Sequence, residues 1–213
     1  LKLFDFPEEK ITVTHLGLRL KKPTLKAEQV LPKFGIEEKK YLLFTGMISI
    51  RKNILNLINA FERSGLKKDF KLVLAGEMSM GAEKIIEEIT KNKLEDKVIL
   101  TNFVSDEELA TLYTNAKAFL FPTFYEGFGL PIIEAMSYKV PVLTGNIGAS
   151  PEVAGKYAEL VNPFEVDSIA NGIYAVVNYS PTQIDEAYNH CLKFTWERCI
   201  EQTVGVYRKA LNK

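Results

Sequence analysis

The chain has 213 residues, 46% hydrophobic, 11% aromatic and 25% charged, enough for one folded domain with terminal extensions and outside the range of disordered or collagen-like chains. Its 27 Lys and Arg balance 27 Asp and Glu, so no overall field draws it to nucleic acid or an anionic membrane, and an anion site has to be built locally. No apolar run approaches the ~18 residues of a membrane span and the N-terminus has no basic-then-apolar leader pattern, so a soluble, cytoplasmic chain is expected. It opens on Leu1 rather than Met and is read as part of a longer product.

Residues 1–37 mix polar and apolar positions around Pro7, Pro23 and Pro32, with one short strand expected at Ile11, Thr12 and Val13. From residue 41 a short apolar run repeatedly gives way to helical spacing. A strand over 41–44 ends at Gly46, and a helix then carries Ile54, Leu57, Ile58 and Phe61 on one face until Gly65, a C-terminal cap. A second strand over 70–75 ends at Gly76 and is followed by the face Ala82, Ile85, Ile86 and Ile89. A third over 98–100 leads to Ser105 and Glu108, spaced as a capping box, and to Leu109, Leu112, Tyr113 and Ala116. A fourth over 118–121 stops at Pro122, and Pro131 opens the helix of Ile133 and Met136. Strands over 140–143 and 158–161 flank a brief helix opened by Ser150 and Pro151, and Ile169, Ile173, Val176 and Val177 continue the alternation. From Thr195 a last helix places Trp196, Ile200, Tyr207 and Leu211 on one side, a stripe suited to packing beyond this domain or back across it.

Strands that are apolar throughout, each followed by a helix, define a parallel sheet covered on both faces: a doubly wound α/β domain. Ligands of such sheets bind beyond the carboxyl ends of the strands, which directs attention to the loops there. Cys191 and Cys199 lie eight residues apart in a helical stretch and fit neither a CxxC motif nor a disulfide framework, so reduced, mostly buried thiols are expected. His15 and His190 are remote in sequence and are read as packing or surface residues, with no metal cluster.

Two constellations could carry chemistry. Arg51, Lys52 and Asn53 stand where the loop after the first strand enters its helix. Two cations there oppose the helix dipole by roughly 0.3–1 kcal/mol each. A bound anion reverses that sign, and the alternative is a solvated pair pointing away. The second runs from Glu126 through Gly127, Phe128, Gly129, Leu130 and Pro131 to Glu134. Its glycines let a ligand approach the N–H groups at the start of the next helix. Its carboxylates can both face the cleft and accept from sugar hydroxyls, while the plain alternative makes Glu134 a partner of the helix dipole and the glycines turn formers. One glycine after the first strand is too few for a dinucleotide fingerprint, and a Walker A loop is lacking. A two-carboxylate glycoside hydrolase stays open.

Taken together, residues 41–61, 103–116, 121–136 and 150–163 resemble, in order and spacing, blocks of the C-terminal, donor-binding domain of retaining GT-B glycosyltransferases of group 1, also called family 4. The resemblance implies a Rossmann-like domain, one of two flanking the active site. On that pattern residues 1–20 form the interdomain connection, 21–180 the nucleotide-sugar donor domain, and 181–213 closing helices that pack back across it. The E-x7-E block then gives Glu126 to the donor-sugar hydroxyls and Glu134 to the ribose. Backbone amides of Gly127, Phe128, Gly129 and Leu130 meet sugar and diphosphate, and the backbone near Val104 meets the nucleobase. Of the family's basic pair this sequence keeps Lys52 but has Met47 at the Arg position, and Arg51 is taken to supply the second charge.

The implied reaction is metal-free, cofactor-free transfer of a hexose with retention, Arg51 and Lys52 stabilising the leaving nucleoside diphosphate. The donor is a nucleotide-diphosphate sugar, with GDP-mannose as the first candidate. The acceptor is a glycan or lipid-linked molecule reached through an N-terminal domain outside this chain, in polysaccharide or glycoconjugate biosynthesis. Any peripheral membrane association would depend on that domain, and the chain alone should catalyse little. A nucleotide-sugar epimerase of the same fold and a non-catalytic nucleotide-sugar binding module are the alternatives.

Overall fold

The computed structural model describes residues 7–19, 22–79 and 81–211. Residues 1–6 and 20 of the expected connection, residue 21 at the expected domain start, and residues 212–213 of the expected closing helices lie outside the described residues. Six parallel strands form one sheet: β1 (Tyr41–Thr45), β2 (Lys71–Ala75), β3 (Val98–Asn102), β4 (Ala118–Phe121), β5 (Val142–Gly145) and β6 (Glu159–Val161). Their order is β3-β2-β1-β4-β5-β6. β1 is buried along its whole length because it has a neighbour on each side, Leu42 standing opposite both Leu72 and Ala118. The expected doubly wound, Rossmann-like sheet is the observed one.

The helices are α1 (Ala27–Val30), α2 (Ile54–Arg63), α3 (Glu83–Lys91), α4 (Asp106–Asn115), α5 (Leu130–Ser137), α6 (Ser150–Ala154), α7 (Val166–Val176), α8 (Pro181–Cys191) and α9 (Trp196–Leu211). α2 packs between α3 and α7, while α5 packs with α6 and α8. Ile54, Leu57, Ile58 and Phe61 of α2 are all fully buried, as their spacing requires. The Ser105–Glu108 capping box starts α4: the Glu108 N–H donates to Ser105 Oγ and the Ser105 N–H to Glu108 Oε2. Below the sheet ends, Phe121 stacks with Phe44 and Phe119 at centroid distances of 5.7 and 5.6 Å.

Three local expectations are corrected. Ile11, Thr12 and Val13 follow a 3-10 turn, Glu8–Lys10, and form no strand; Ile11 and Val13 are exposed, so no apolar face drives them onto a sheet edge. β5 begins at Val142 rather than 140: Pro141 has no N–H to give a ladder, although its carbonyl accepts from the Phe119 N–H at 2.8 Å. Ile86 is exposed, because Ala82, Ile85 and Ile89 fill the stripe and Ile86 falls one residue to its side. At the end of the chain α9 has no buried residue, and Trp196, Ile200, Tyr207 and Leu211 are all exposed. Among the described residues no helix is long and apolar enough to cross a membrane.

Candidate functional site

The strand order reverses between β1 and β4, since the chain leaves β1 for β2 on one side and β4 for β5 on the other. In doubly wound sheets ligands bind beside the loops at the carboxyl ends of two such strands. The loop after β1 is braced against the loop after β2, with the Ile48 N–H donating to the Glu77 carbonyl at 2.9 Å and the Ser79 N–H to the Ile48 carbonyl at 3.0 Å. It then forms a 3-10 turn, Ile50–Lys52, and enters α2 through Asn53, whose backbone is left-handed at φ 63°.

Lys52 Nζ donates to Glu126 Oε1 at 2.6 Å, and the two side chains are only 13% and 12% exposed. The same ammonium lies 5.4 Å from the centroid of Phe121. Two charges so nearly withdrawn from water lose much of their attraction to desolvation, so stability alone is a poor reason for the pair. It sets one cation and one carboxylate at the switch point. Arg51 is exposed, has no ion-pair partner among the described residues, and is not brought to Glu126. Asn53 is 2% exposed, and its Nδ2 donates to the carbonyls of Pro122 at 2.8 Å and Pro163 at 2.7 Å. Beside these groups, Ser49 Oγ and Thr123 Oγ1 are buried with no hydrogen-bond partner among the described residues.

The turn into α5 separates the roles of its two glycines. Gly129 is left-handed at φ 96°, where the backbone favours glycine; a methyl group added to it would lie 2.9 Å from Ile132 Cδ1, the movable end of a side chain. A methyl added to Gly127 would meet nothing within 4 Å. Nothing among the described residues requires glycine at 127. Phe128 turns to the segment entering the domain, its ring 6.0 Å from His15 and 5.9 Å from Phe194. His15 Nε2 lies 2.7 Å from Glu152 Oε1, and a cavity of about 450 Å³ runs between residues 13–16, Gly127, Phe128 and Glu152.

Glu134 sits in the first turns of α5. Its Oε2 accepts from Tyr113 Oη at 3.3 Å, and Tyr113 Oη lies 2.7 Å from Thr45 Oγ1 at the end of β1. Burial, and then the Glu134 carboxylate, push the Tyr113 hydroxyl well above the ordinary phenol range. Tyr138 stacks on Tyr113 at 5.3 Å, and Glu134 shares a small cavity with Arg19, Asp106 and Leu109. Val104 is half-buried at the start of the loop leading to α4, packed on the core.

The structure thus brings Lys52 and Glu126 together, puts Glu134 on a tyrosine, and leaves Arg51 outside. Sequence reasoning gave no role to the Asn53 amide or the Tyr113 hydroxyl; the signal for each was a polar group at a position that packing alone would fill with an apolar one. It also missed that His15 and His190 both contact Phe194, at 5.7 and 5.4 Å. Gly17 explains that convergence: any side chain there would strike the Thr195 and Trp196 backbone, and the adjacent Leu18 N–H donates to the Phe194 carbonyl at 2.9 Å. Both cysteines are free, Cys191 buried and Cys199 partly so. Among the described residues no group of three or more His, Cys, Asp or Glu is placed to hold a metal ion.

A doubly wound sheet with a lysine–carboxylate pair at its switch point has many possible owners, and comparison narrows them. Residues 27–190 match the family described as glycosyl transferases group 1, and the chain belongs to that family. It is 31% identical over 216 residues to O-antigen chain mannosyltransferase B of Escherichia coli, covering 98% of this chain and 57% of that protein. It is 33% identical over 170 residues to the MMP alpha-(1->4)-mannosyltransferase of Mycolicibacterium hassiacum, covering 75% and 40%. Among solved structures, sucrose-phosphate synthase from Thermosynechococcus elongatus matches with a TM-score of 0.77 and 25% identity over 93% of this chain and 51% of that one. The chain spans about half the length of the relatives it matches.

Proposed function

We propose that this chain is the donor-binding domain of a retaining, metal-independent hexosyltransferase that uses a nucleotide-diphosphate sugar. Mannose from GDP-mannose is the first candidate, since two of its relatives are named mannosyltransferases. The acceptor is a glycan or lipid-linked molecule, held by a preceding domain of the kind that the other half of each relative would supply. The observation that carries this reading is the near-buried pair of Lys52 and Glu126 at the switch point.

In the reading, the Lys52 ammonium keeps one N–H on Glu126 and turns another to the diphosphate, where negative charge grows as the sugar departs. Glu126 holds donor-sugar hydroxyls, Glu134 the ribose, and the open side of Gly127 lets the sugar approach the backbone amides of residues 127–130. Val104 offers its backbone to the nucleobase. Arg51, exposed at the rim, turns inward once a phosphate is bound. A chain without the acceptor side then binds donor and transfers little.

Calorimetry of this chain against UDP-, GDP- and ADP-sugars and the bare diphosphates, repeated with Lys52→Ala, tests the proposal. Selective binding of one nucleotide class, weakened in the variant, is the expected result. Binding of none of them overturns it. Product analysis with the preceding domain attached separates transfer from epimerisation or mere binding.

A further inference from the structure

Resting on the donor-site reading above, we propose that Asn53 is a positioning residue for Lys52, its carboxamide tying the loop after β1 to the loops after β4 and β6 so that the ammonium stays where a diphosphate would lie. Asparagine at the start of a helix ordinarily caps it, its side-chain oxygen accepting from an N–H of the first turn. Asn53 stands at that position of α2 and makes no such bond. Both hydrogens of its amide point elsewhere, to Pro122 and Pro163, residues 69 and 110 positions further along the chain.

The two acceptors are carbonyl oxygens, and the carboxamide gives each an N–H from one atom, whereas an aspartate of the same shape would set a negative charge against them. Nor does the left-handed backbone call for asparagine, since glycine adopts φ 63° at less cost. Pro122 leads into the same loop as Glu126. The contacts Asn53 to Pro122 and Lys52 to Glu126 therefore clasp the loops after β1 and β4 side by side, and Pro163, which also accepts from Asn56 Nδ2 at 3.3 Å, fixes the third loop. Without the amide the Lys52 loop can slide along its partner, and a displaced ammonium loses the short, aligned geometry of a charge-assisted hydrogen bond.

A double-mutant cycle on this chain tests the idea, using whichever of UDP, GDP and ADP binds most tightly to the wild type. Asn53→Gly and Asn53→Ala both remove the amide, but only alanine strains the left-handed backbone, so the two differ in melting temperature. Each is expected to weaken diphosphate binding about tenfold, to the same extent in both, while adding less than about twofold to the loss in a Lys52→Ala background. A full tenfold loss in that background means that Asn53 acts independently of Lys52 and overturns the proposal. So does an affinity that follows melting temperature across the two variants, the mark of a purely structural role, or one unchanged in both. If the wild type binds none of the three diphosphates, the donor-site reading itself fails and takes this proposal with it, a failure seen before any variant is made.

Discussion

Glu126 and Glu134 leave one short stretch of chain and end in opposite surroundings. Glu126 faces an ammonium that is itself almost buried, so its charge is largely answered within the protein. Glu134 accepts from a phenol that burial keeps neutral, and Tyr113 is anchored in turn on Thr45 at the end of β1. The first carboxylate is coupled to whatever else the ammonium binds. The second, on α5, is tied to the sheet through Tyr113 and Thr45. A ligand bearing a diphosphate would thus meet Glu126 through Lys52 and Glu134 beside Tyr113, and substitutions at the two positions should differ in kind as well as in size.

The largest expected effect is at Glu126. Glu126→Ala should lower sugar transfer about a hundredfold in the enzyme with its acceptor side present. It should also leave the bare diphosphate bound as well as before or better, because Lys52 loses its internal competitor. Lys52→Ala should weaken diphosphate and diphosphate-sugar alike, by about thirtyfold, in keeping with the loss of a charge-assisted contact. Glu134→Ala should weaken both ligands about tenfold by calorimetry and spare the ratio between them. Equal losses with both ligands in Glu126→Ala and Glu134→Ala would erase the distinction between the two carboxylates.

Much of this was legible in the sequence, for reasons that can be named. Fully apolar runs such as 41–44 and 118–121 announce a covered parallel sheet, and Ser105 with Glu108 states where α4 begins, because these signals are local. The Lys52–Glu126 contact was out of reach of periodicity: the residues lie 74 positions apart, and their meeting depends on β4, rather than β2 alone, lying beside β1. Tyr113 was legible as an apolar position on α4, but its hydroxyl partners sit on β1 and α5. The strand expected at residues 11–13 failed for the converse reason. Val and Ile favour a pleated, half-buried surface only where a sheet offers one, and neither edge of this sheet takes them.

The smallest predicted effect on binding sharpens the same comparison from the Glu134 side. Tyr113→Phe removes the hydroxyl while keeping the ring that stacks on Tyr138 at 5.3 Å, so diphosphate affinity should fall only about threefold. Stability should fall by about 1 kcal/mol, since Thr45 Oγ1 is left buried without its partner. The pH dependence follows from the raised pKa. In the fold the hydroxyl stays protonated far above its ordinary value of 10.0, whereas in the unfolded chain it ionises near that value. Its contribution is therefore fully present below that pH and is lost as pH rises beyond it, because only the unfolded wild type then gains by releasing the proton. Urea denaturation of the wild type and Tyr113→Phe should give a constant stability difference from neutral pH to about 9 and a shrinking one above about 10. A difference that stays constant or grows above pH 10 would mean that the fold does not hold the Tyr113 hydroxyl neutral.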